Sequence, residues 1–298
     1  MLSPEIIARI KSLSLRGRHL ASDIMAGDYA SAFHGRGMEF HEVREYVPGD
    51  DVRGIDWNVT ARMNVPFVKV FREERELTLM LMVDVSASMG LGKGRSRIAA
   101  AAELAAILAW LAIKSNDRVG LLLFGEKIEL YVPPRKGPSH VWRIIKELLT
   151  WSYRSPGTNI SGAGEHIAKV LKRRSVCFLI SDFLTEDSLL ALSRLAGLHD
   201  LTCVLMDHEP LDGALMAGGT GVVLYRDVET KEIIEVDTSN KQVMTELEDC
   251  HRQWLLTVES AVRRSGADFL RVQSDKSVVD PLMEYLKRHR SSRPRRAL

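Results

Sequence analysis

The fold is decided by the stretch Leu77-Thr-Leu-Met-Leu-Met-Val-Asp-Val-Ser-Ala-Ser-Met89. Its residues 79–83 have the length and apolar character of a strand buried on both faces, as in the centre of a parallel sheet. Asp84, Ser86 and Ser88 follow in the loop at the carboxyl end of that strand, where open α/β sheets place their ligand sites. One carboxylate and two hydroxyls are hard oxygen ligands that suit Mg²⁺ or a similar ion. A cap on the next helix is the competing interpretation of the two serines.

Two further segments carry oxygen-bearing side chains at comparable places. The loop Arg154-Ser-Pro-Gly-Thr-Asn159 precedes an amphipathic stretch, and Ser175-Val-Cys-Phe-Leu-Ile-Ser-Asp-Phe183 is a second buried-strand pattern that ends in an acid. Taken singly, such a threonine or aspartate is more often a helix cap than a ligand. Taken together, the motifs form a set of five oxygen ligands for one ion: Asp84, Ser86, Ser88, Thr158 and Asp182. The set resembles the metal-ion-dependent adhesion site of von Willebrand factor A domains.

The composition is that of an ordinary globular protein and points to no special partner. The 298 residues are 45% hydrophobic and 27% charged, with a net charge of +2, so no overall field demands nucleic acid or a membrane. No apolar run reaches the ~20 residues that span a bilayer, and residues 1–10 lack the core of a secretory signal. The three cysteines are far apart in sequence. They favour reduced residues in a cytoplasmic protein over a disulfide or zinc framework.

From residue 77 onward, strand patterns alternate with helix patterns. Strands are predicted near 77–84, 118–124, 127–132, 175–182, 200–207 and 267–273. Helices are predicted near 95–115, 138–151, 160–173, 186–197, 240–265 and 278–289. The strand at 127–132 follows its predecessor after two residues, which predicts a hairpin with one antiparallel edge strand. The fold class is therefore α/β: a von Willebrand A-like (Rossmann-like), doubly wound, mostly parallel sheet over residues 77–290.

Two segments lie outside this alternation. Residues 211–239 are rich in glycine and β-branched residues around a polar turn, which predicts a β-hairpin inserted after the strand at 200–207. The hairpin is interpreted as a structural flap, with a partner surface as the alternative. Residues 291–298 form the end of a basic, proline-containing stretch and are predicted to be a solvated flexible tail. Weak attraction of this tail to nucleic acid or anionic lipid is the lesser alternative.

The segment before the sheet, residues 33–76, is dense in charge but also contains spaced aromatic residues. A disordered linker would lack such anchors, so an ordered layer is expected. Together with an N-terminal helix it forms an extension, residues 1–76, that is predicted to pack on the main domain. A strand is predicted at 65–73, and the side chains of Trp57 and Phe71 are expected to be buried.

The same segment carries a second resemblance. The pattern Gly-Arg-Gly-x-Glu-Phe begins at residue 35, and Gly-Asp-Asp-x-Arg-x-Ile-Asp-Trp begins at residue 49. These are followed by Lys-Val-Phe-Arg-Glu-Glu-Arg at 69–75 and Asp-x-Ser-Ala-Ser-Met at 84–89. The combination resembles the bacterial family known as domain of unknown function 58. The resemblance implies a von Willebrand A-like domain, a Mg²⁺ site and partnership with a MoxR-type AAA+ ATPase. The chain departs from longer members in lacking transmembrane helices, and it has Pro156 where the threonine loop often has a small residue.

Three functions are compatible with these motifs. The favoured one is a non-enzymatic, Mg²⁺- or Mn²⁺-dependent protein-binding module in which an acidic side chain of the partner completes the metal site. The second is a metal-dependent, phosphatase-like hydrolase with Asp84 as nucleophile. It is disfavoured because no second acid lies two residues on, and because no other hydrolase or nucleotide-binding motif is present. The third is a metal-independent scaffold whose interface is residues 33–76.

Overall fold

The fold is built around the strand at residues 78–84, which lies inside a six-stranded sheet. The computed structural model describes residues 4–21, 23–33, 39–72, 76–91, 95–151, 155, 157–184, 189–207, 221–226 and 233–292. Within them the strands are β1 (Glu39–Glu45), β2 (Phe67–Arg72), β3 (Thr78–Asp84), β4 (Arg118–Phe124), β5 (Ile128–Arg135), β6 (Val176–Ser181), β7 (Asp200–Asp207), β8 (Val222–Arg226), β9 (Ile233–Asp237) and β10 (Asp268–Gln273). The helices are α1 (Pro4–Leu20), α2 (Asp23–Phe33), α3 (Trp57–Met63), α4 (Arg97–Lys114), α5 (Pro138–Thr150), α6 (Ile160–Val170), α7 (Leu189–Leu198), α8 (Lys241–Arg264) and α9 (Val279–Ser292).

The strand order of the central sheet is β10-β7-β6-β3-β4-β5. β3 pairs in parallel with both β4 and β6, and β7 and β10 extend the parallel sheet on the β6 side. β5 runs antiparallel to β4 at the opposite edge. Within the described residues, the predicted strands and helices of residues 77–290 are confirmed with shifts of a few residues at their ends, as is the antiparallel edge hairpin. Residues 186–188 of one predicted helix lie outside the described residues. The sheet therefore has the von Willebrand A-like arrangement predicted from the sequence.

Helices cover both faces of the sheet. Successive side chains of β3 point to opposite faces, so both sets of side chains are buried against helices. Leu79, Leu81 and Val83 pack in a core with residues of α1, α2, α4, α5 and α9. Met80 and Met82 pack in a second core with residues of α6, α7 and α8. This double burial explains why β3 is a continuous apolar run rather than an alternating one.

The N-terminal part of the extension belongs to the first of these cores. One helix is expected there, but two are present, α1 and α2. Tyr29 and Phe33 of α2 are buried, and the Phe33 ring meets the Phe178 ring of β6 edge-on with centroids 5.8 Å apart. Asp28 accepts a hydrogen bond of 3.0 Å from Arg290 of α9. Both N-terminal helices therefore contribute to the hydrophobic core, and α2 is also tied to the C-terminal helix.

Residues 39–72 form a separate two-stranded unit, in which β1 pairs antiparallel with β2. β2 confirms the strand predicted at 65–73, but the expected burial of Trp57 is wrong because its side chain is 70% exposed. Asp56 caps the N-terminus of α3, and Thr60 accepts a hydrogen bond from the backbone of β2. These polar contacts fix α3 without requiring Trp57 to be buried. The side chain of Phe71 lies outside the described part of the structure, and the domain boundaries remain a prediction.

The inserted hairpin is confirmed by β8 and β9, which pair antiparallel. Its turn at 227–232 and the preceding residues 211–220 lie outside the described residues. The tail predicted at 291–298 is wrong for residues 291 and 292, which belong to helix α9, and residues 293–298 are not described. None of the helices in the described ranges is both long and apolar enough to cross a membrane.

The contrast between Phe33 and Trp57 gives a test of this architecture. Phe33→Ala should lower the free energy of unfolding by about 3–5 kcal/mol, because it leaves a cavity under α2. Trp57→Ala should change that free energy by no more than about 0.5 kcal/mol, because the removed ring is mostly in water. Urea denaturation monitored by circular dichroism measures both values. Equal losses for the two variants would contradict the assignment of α2 to the core.

Candidate metal centre

The centre of the candidate site is Asp84, the last residue of β3, whose side chain is fully buried. Its Oδ1 accepts a hydrogen bond of 2.9 Å from the backbone N–H of Ser86. Its Oδ2 accepts one of 2.6 Å from the hydroxyl of Ser181 and one of 3.1 Å from the hydroxyl of Thr158. The carboxylate thus collects donors from three segments: its own loop, the end of β6 and the loop before α6.

The two serines after Asp84 do not cap a helix. Ser86 and Ser88 are buried, and their hydroxyl oxygens lie 3.1 Å apart in a hydrogen bond with each other. Helix α4 is capped instead by Ser96, whose hydroxyl accepts from the backbone N–H of Ala99. The capping interpretation is therefore wrong for both serines, and their hydroxyls remain beside Asp84.

Thr158 does not cap a helix either. The N-cap of α6 is Asn159, whose side-chain oxygen accepts a hydrogen bond of 2.7 Å from the N–H of Gly162. This leaves the Thr158 hydroxyl directed at Asp84. Pro156, the residue at which this loop departs from the family pattern, lies outside the described residues.

Ser155 holds the threonine loop against the other two loops. Its backbone carbonyl accepts from the N–H of Ala87 at 3.0 Å, and its hydroxyl accepts from the N–H of Glu126 at 2.7 Å. The same hydroxyl donates to the carbonyl of Gly157 at 3.0 Å. A Cβ atom on Gly125 would stand 2.3 Å from the Ser155 hydroxyl oxygen, so only glycine fits at that turn. The alignment of Thr158 with Asp84 therefore depends on the turn of the edge hairpin.

Asp182 brings a second buried carboxylate to this edge of the sheet, directly after β6. Its Oδ2 lies 3.5 Å from Nη1 of Arg97, and the same Nη1 donates to the carbonyl of Ser88 at 3.0 Å. The Nε of Arg97 is buried and has no hydrogen-bond partner among the described residues. Arg97 is therefore a cation already present in the site, although its guanidinium is incompletely satisfied.

The electrostatics of the site favour the binding of a cation. Burial raises the pKa of Asp84 from 3.8 to about 6, and the negative charge of Asp182 adds to this effect. The hydrogen bonds from Ser181 and Ser86 lower the pKa but do not offset the rise. A divalent cation between the two carboxylates would remove their mutual repulsion and favour the ionised form of both.

The donor atoms fit a hard ion. Two carboxylates and three hydroxyls supply oxygen ligands only, which suits Mg²⁺ or Mn²⁺. Within the described ranges, no group of three or more His, Cys, Asp or Glu side chains could hold a metal. The residues present therefore fit an oxygen-ligated ion and not a zinc site, while the ligand set itself remains a prediction.

Sequence reasoning missed three residues of this site. Ser181 stands directly before Asp182 in the quoted strand, and its hydroxyl makes the shortest hydrogen bond to Asp84. Ser155 organises the loops through hydrogen bonds to backbone groups, and no sequence motif marks such bonds. Arg97 did leave a signal, because a positive charge in the first turn of a helix opposes the helix dipole and suggests a nearby acid.

The fold defines the chain as a von Willebrand A-like α/β protein. The chain belongs to the family described as protein of unknown function DUF58, whose model matches residues 42–254. It is 28% identical over 303 residues to the uncharacterized protein Rv1480 of Mycobacterium tuberculosis and to the uncharacterized protein Mb1516 of Mycobacterium bovis. Each match covers 99% of this chain and 92% of the relative.

Solved structures show more distant likenesses. An aerotolerance-related membrane protein from Bacteroides fragilis is 15% identical, with a TM-score of 0.46 and coverage of 72% of this chain and 98% of that one. BatB from Bacteroides thetaiotaomicron gives the same identity and TM-score, with 72% and 100% coverage. The SpRpn10 VWA domain is 11% identical, with a TM-score of 0.41 and coverage of 71% and 95%. The fold of this chain is defined by its own strand order.

The raised pKa of Asp84 gives a prediction for pH. In the metal-free protein, the contribution of Asp84 to stability should be fully present below pH 3.8 and lost as pH rises through about 6, because the folded state favours the protonated acid. Affinity for Mg²⁺ should run the opposite way and rise through the same range, because the proton must leave before the metal binds. Calorimetric titrations with Mg²⁺, at pH values about one unit below and about one unit above that pKa, measure the change in affinity. An affinity unchanged across that range, or a pH dependence retained in Asp84→Asn, would contradict it.

Arg97 gives a second prediction. Arg97→Met should raise affinity for Mg²⁺ several-fold, because it removes a positive charge that competes for Asp182. The matched control is Arg95→Met, which removes an arginine that pairs with Glu103 and not with a proposed ligand. Calorimetric titration of both variants with Mg²⁺ measures the two affinities. Equal or weaker binding in Arg97→Met would show that Arg97 does not compete with the metal.

Proposed function

We propose that this chain is a protein-binding module whose affinity for its partner depends on Mg²⁺ or Mn²⁺. Asp84, Ser86, Ser88, Thr158 and Asp182 would hold the ion directly or through water. The observation that carries the proposal is the pairing of two buried carboxylates, Asp84 and Asp182, at the same edge of the sheet as three hydroxyls. Burial of two like charges is costly unless a cation accompanies them.

The ion would leave a coordination position for the partner. Mg²⁺ prefers six oxygen ligands in octahedral geometry, and an acidic side chain supplies a charged oxygen that water cannot match. With Arg97 beside the site, the metal and the arginine together carry one more positive charge than the two carboxylates neutralise. This surplus favours an acidic residue of the partner as the last ligand. Metal and partner would then strengthen each other's binding by the same factor.

The family resemblance supplies the partner that we propose, a MoxR-type AAA+ ATPase. A cytoplasmic location is part of the proposal, and three free cysteines are compatible with it. We assign no catalytic role to the chain. Asp84 is fully buried and accepts three hydrogen bonds, which makes it a poor nucleophile toward a substrate in solution.

A metal-independent scaffold is the second candidate, and one observation favours it. Each carboxylate already has partners within the protein, since Asp84 accepts three hydrogen bonds and Asp182 faces Arg97. In that case Arg97 would serve permanently as the counter-charge. Partner binding that survives removal of divalent ions would support this alternative.

The test is co-purification of the ATPase with this chain, with and without EDTA. Wild type should retain the ATPase in Mg²⁺ and lose it in EDTA. Asp182→Ala should lose it in both conditions, whereas Asp237→Ala, which removes an exposed aspartate of β9, should behave as wild type. Ser86→Ala should weaken retention less than Asp182→Ala, because water replaces a neutral ligand more readily than a charged one, and Ser260→Ala, which changes an exposed serine of α8, is the matched serine control.

Metal binding itself should also raise the free energy of unfolding. At about 100 times its dissociation constant, Mg²⁺ should add roughly 2.7 kcal/mol to the free energy of unfolding of wild type and nothing to that of Asp182→Ala. Thermal and urea denaturation measure this without any partner. Association that is indifferent to EDTA would reject the metal-dependent mechanism. Metal-dependent hydrolysis of phosphate esters that Asp84→Asn abolishes would reject the non-catalytic assignment.

A further inference from the structure

Several exposed apolar side chains lie together in the connection between β1 and β2, residues 46–66, which we term the β1–β2 tip. The tip is folded back onto its own strands. The N–H of Tyr46 donates to the carbonyl of Pro66 at 2.8 Å, and the N–H of Asp56 donates to the carbonyl of Phe67 at 2.8 Å. Its backbone is thus held in a defined shape by bonds within the unit.

This ordered tip presents an unusual amount of apolar surface to solvent. Trp57 is 70% exposed, more than any other tryptophan of the chain. Four further large apolar side chains of the tip are exposed as well: Val47, Val52, Met63 and Val65. Single exposed apolar residues are ordinary, but several in one short ordered segment mark an interaction site. Tryptophan and methionine are enriched in the cores of protein interfaces.

The charges of the tip are arranged asymmetrically. Its acids are all engaged: Asp50 accepts two hydrogen bonds from Arg44, Asp51 caps the turn at 52–54, and Asp56 caps α3. Arg53 and Arg62 are exposed, and neither side chain has a partner among the described residues. The guanidinium groups of Arg53 and Arg62 are therefore available to a ligand.

We propose that the β1–β2 tip docks an acidic, amphipathic segment of a partner protein. Trp57 is the apolar anchor, and Arg53 and Arg62 pair with carboxylates of the partner. A polyanion such as nucleic acid or an anionic bilayer fits less well, because two arginines stand among three carboxylates that would repel a dense array of phosphates. The surface shares no residue with the metal centre, so this binding goes beyond the proposed function and needs no divalent ion.

The test uses the full chain in EDTA, which disables any metal-dependent binding of acids. The probe is a fluorescein-labelled helical peptide of about 18 residues, with leucine and phenylalanine along one face, two glutamates beside that face and glutamine elsewhere. The control peptide keeps the apolar face and replaces every glutamate by lysine. Fluorescence anisotropy should show the acidic peptide binding at least about tenfold more tightly than the basic one.

Variants then assign the binding to the tip. Trp57→Ala should weaken binding of the acidic peptide about tenfold or more, since anchor residues carry much of the affinity of an interface. The double variant Arg53→Glu, Arg62→Glu should weaken it comparably and remove the preference for the acidic peptide. The controls are Leu256→Ala, an exposed leucine of α8, and Lys172→Glu, an exposed lysine before β6, and both should bind as wild type.

Other occupants of the surface would give different results. Equal binding of the two peptides, or undiminished binding by Trp57→Ala, would overturn the proposal. Light scattering that shows a wild-type dimer and a Trp57→Ala monomer would identify a second copy of the chain as the occupant and overturn it too. Binding to phosphatidylglycerol vesicles that Trp57→Ala abolishes, without peptide binding, would assign the surface to a membrane instead.

Discussion

The structure depends on how a buried carboxylate is satisfied at the end of a strand in the middle of the sheet. β3 lies between two parallel neighbours with helices on both faces, so the Asp84 side chain at its end is buried. A buried carboxylate is tolerated only when it is hydrogen-bonded or paired with a cation, and hydrogen bonds to charged groups contribute about 1.5–3 kcal/mol each. This need draws the loop after β3, the loop before α6 and the end of β6 together.

Much of this arrangement is readable from the sequence because it rests on periodicity and order along the chain. An apolar run ending in an acid places Asp84 and Asp182 at the carboxyl ends of parallel strands, and those ends lie at one edge of the sheet. The short link between β4 and β5 predicts the antiparallel edge for a similar reason. Thr158 follows because its loop precedes a helix that begins beside these strands. The elements around the candidate site were therefore predictable.

What the sequence does not contain is the choice among equivalent side chains. Ser86, Ser96 and Ser181 are all serines near helix starts or strand ends, yet only Ser96 caps α4, and it is the Ser181 hydroxyl that makes the shortest hydrogen bond to Asp84. Trp57 illustrates a different limit. Aromatic residues usually anchor a segment to a core, but residues 46–66 are ordered by backbone and capping hydrogen bonds and leave the ring in solvent. Polar contacts made the local structure, so burial could not be inferred from residue type.

Arg97 decides between the two accounts of the site, because it occupies the position of a counter-cation beside Asp182. The most direct measurement is a crystal structure of the chain grown with Mn²⁺, with anomalous difference density collected to locate the ion. Our account predicts a single strong peak enclosed by Asp84, Ser86, Ser88, Thr158 and Asp182. An absence of density there, with the Arg97 guanidinium held between the two carboxylates, would contradict it and leave a scaffold whose charge is balanced internally.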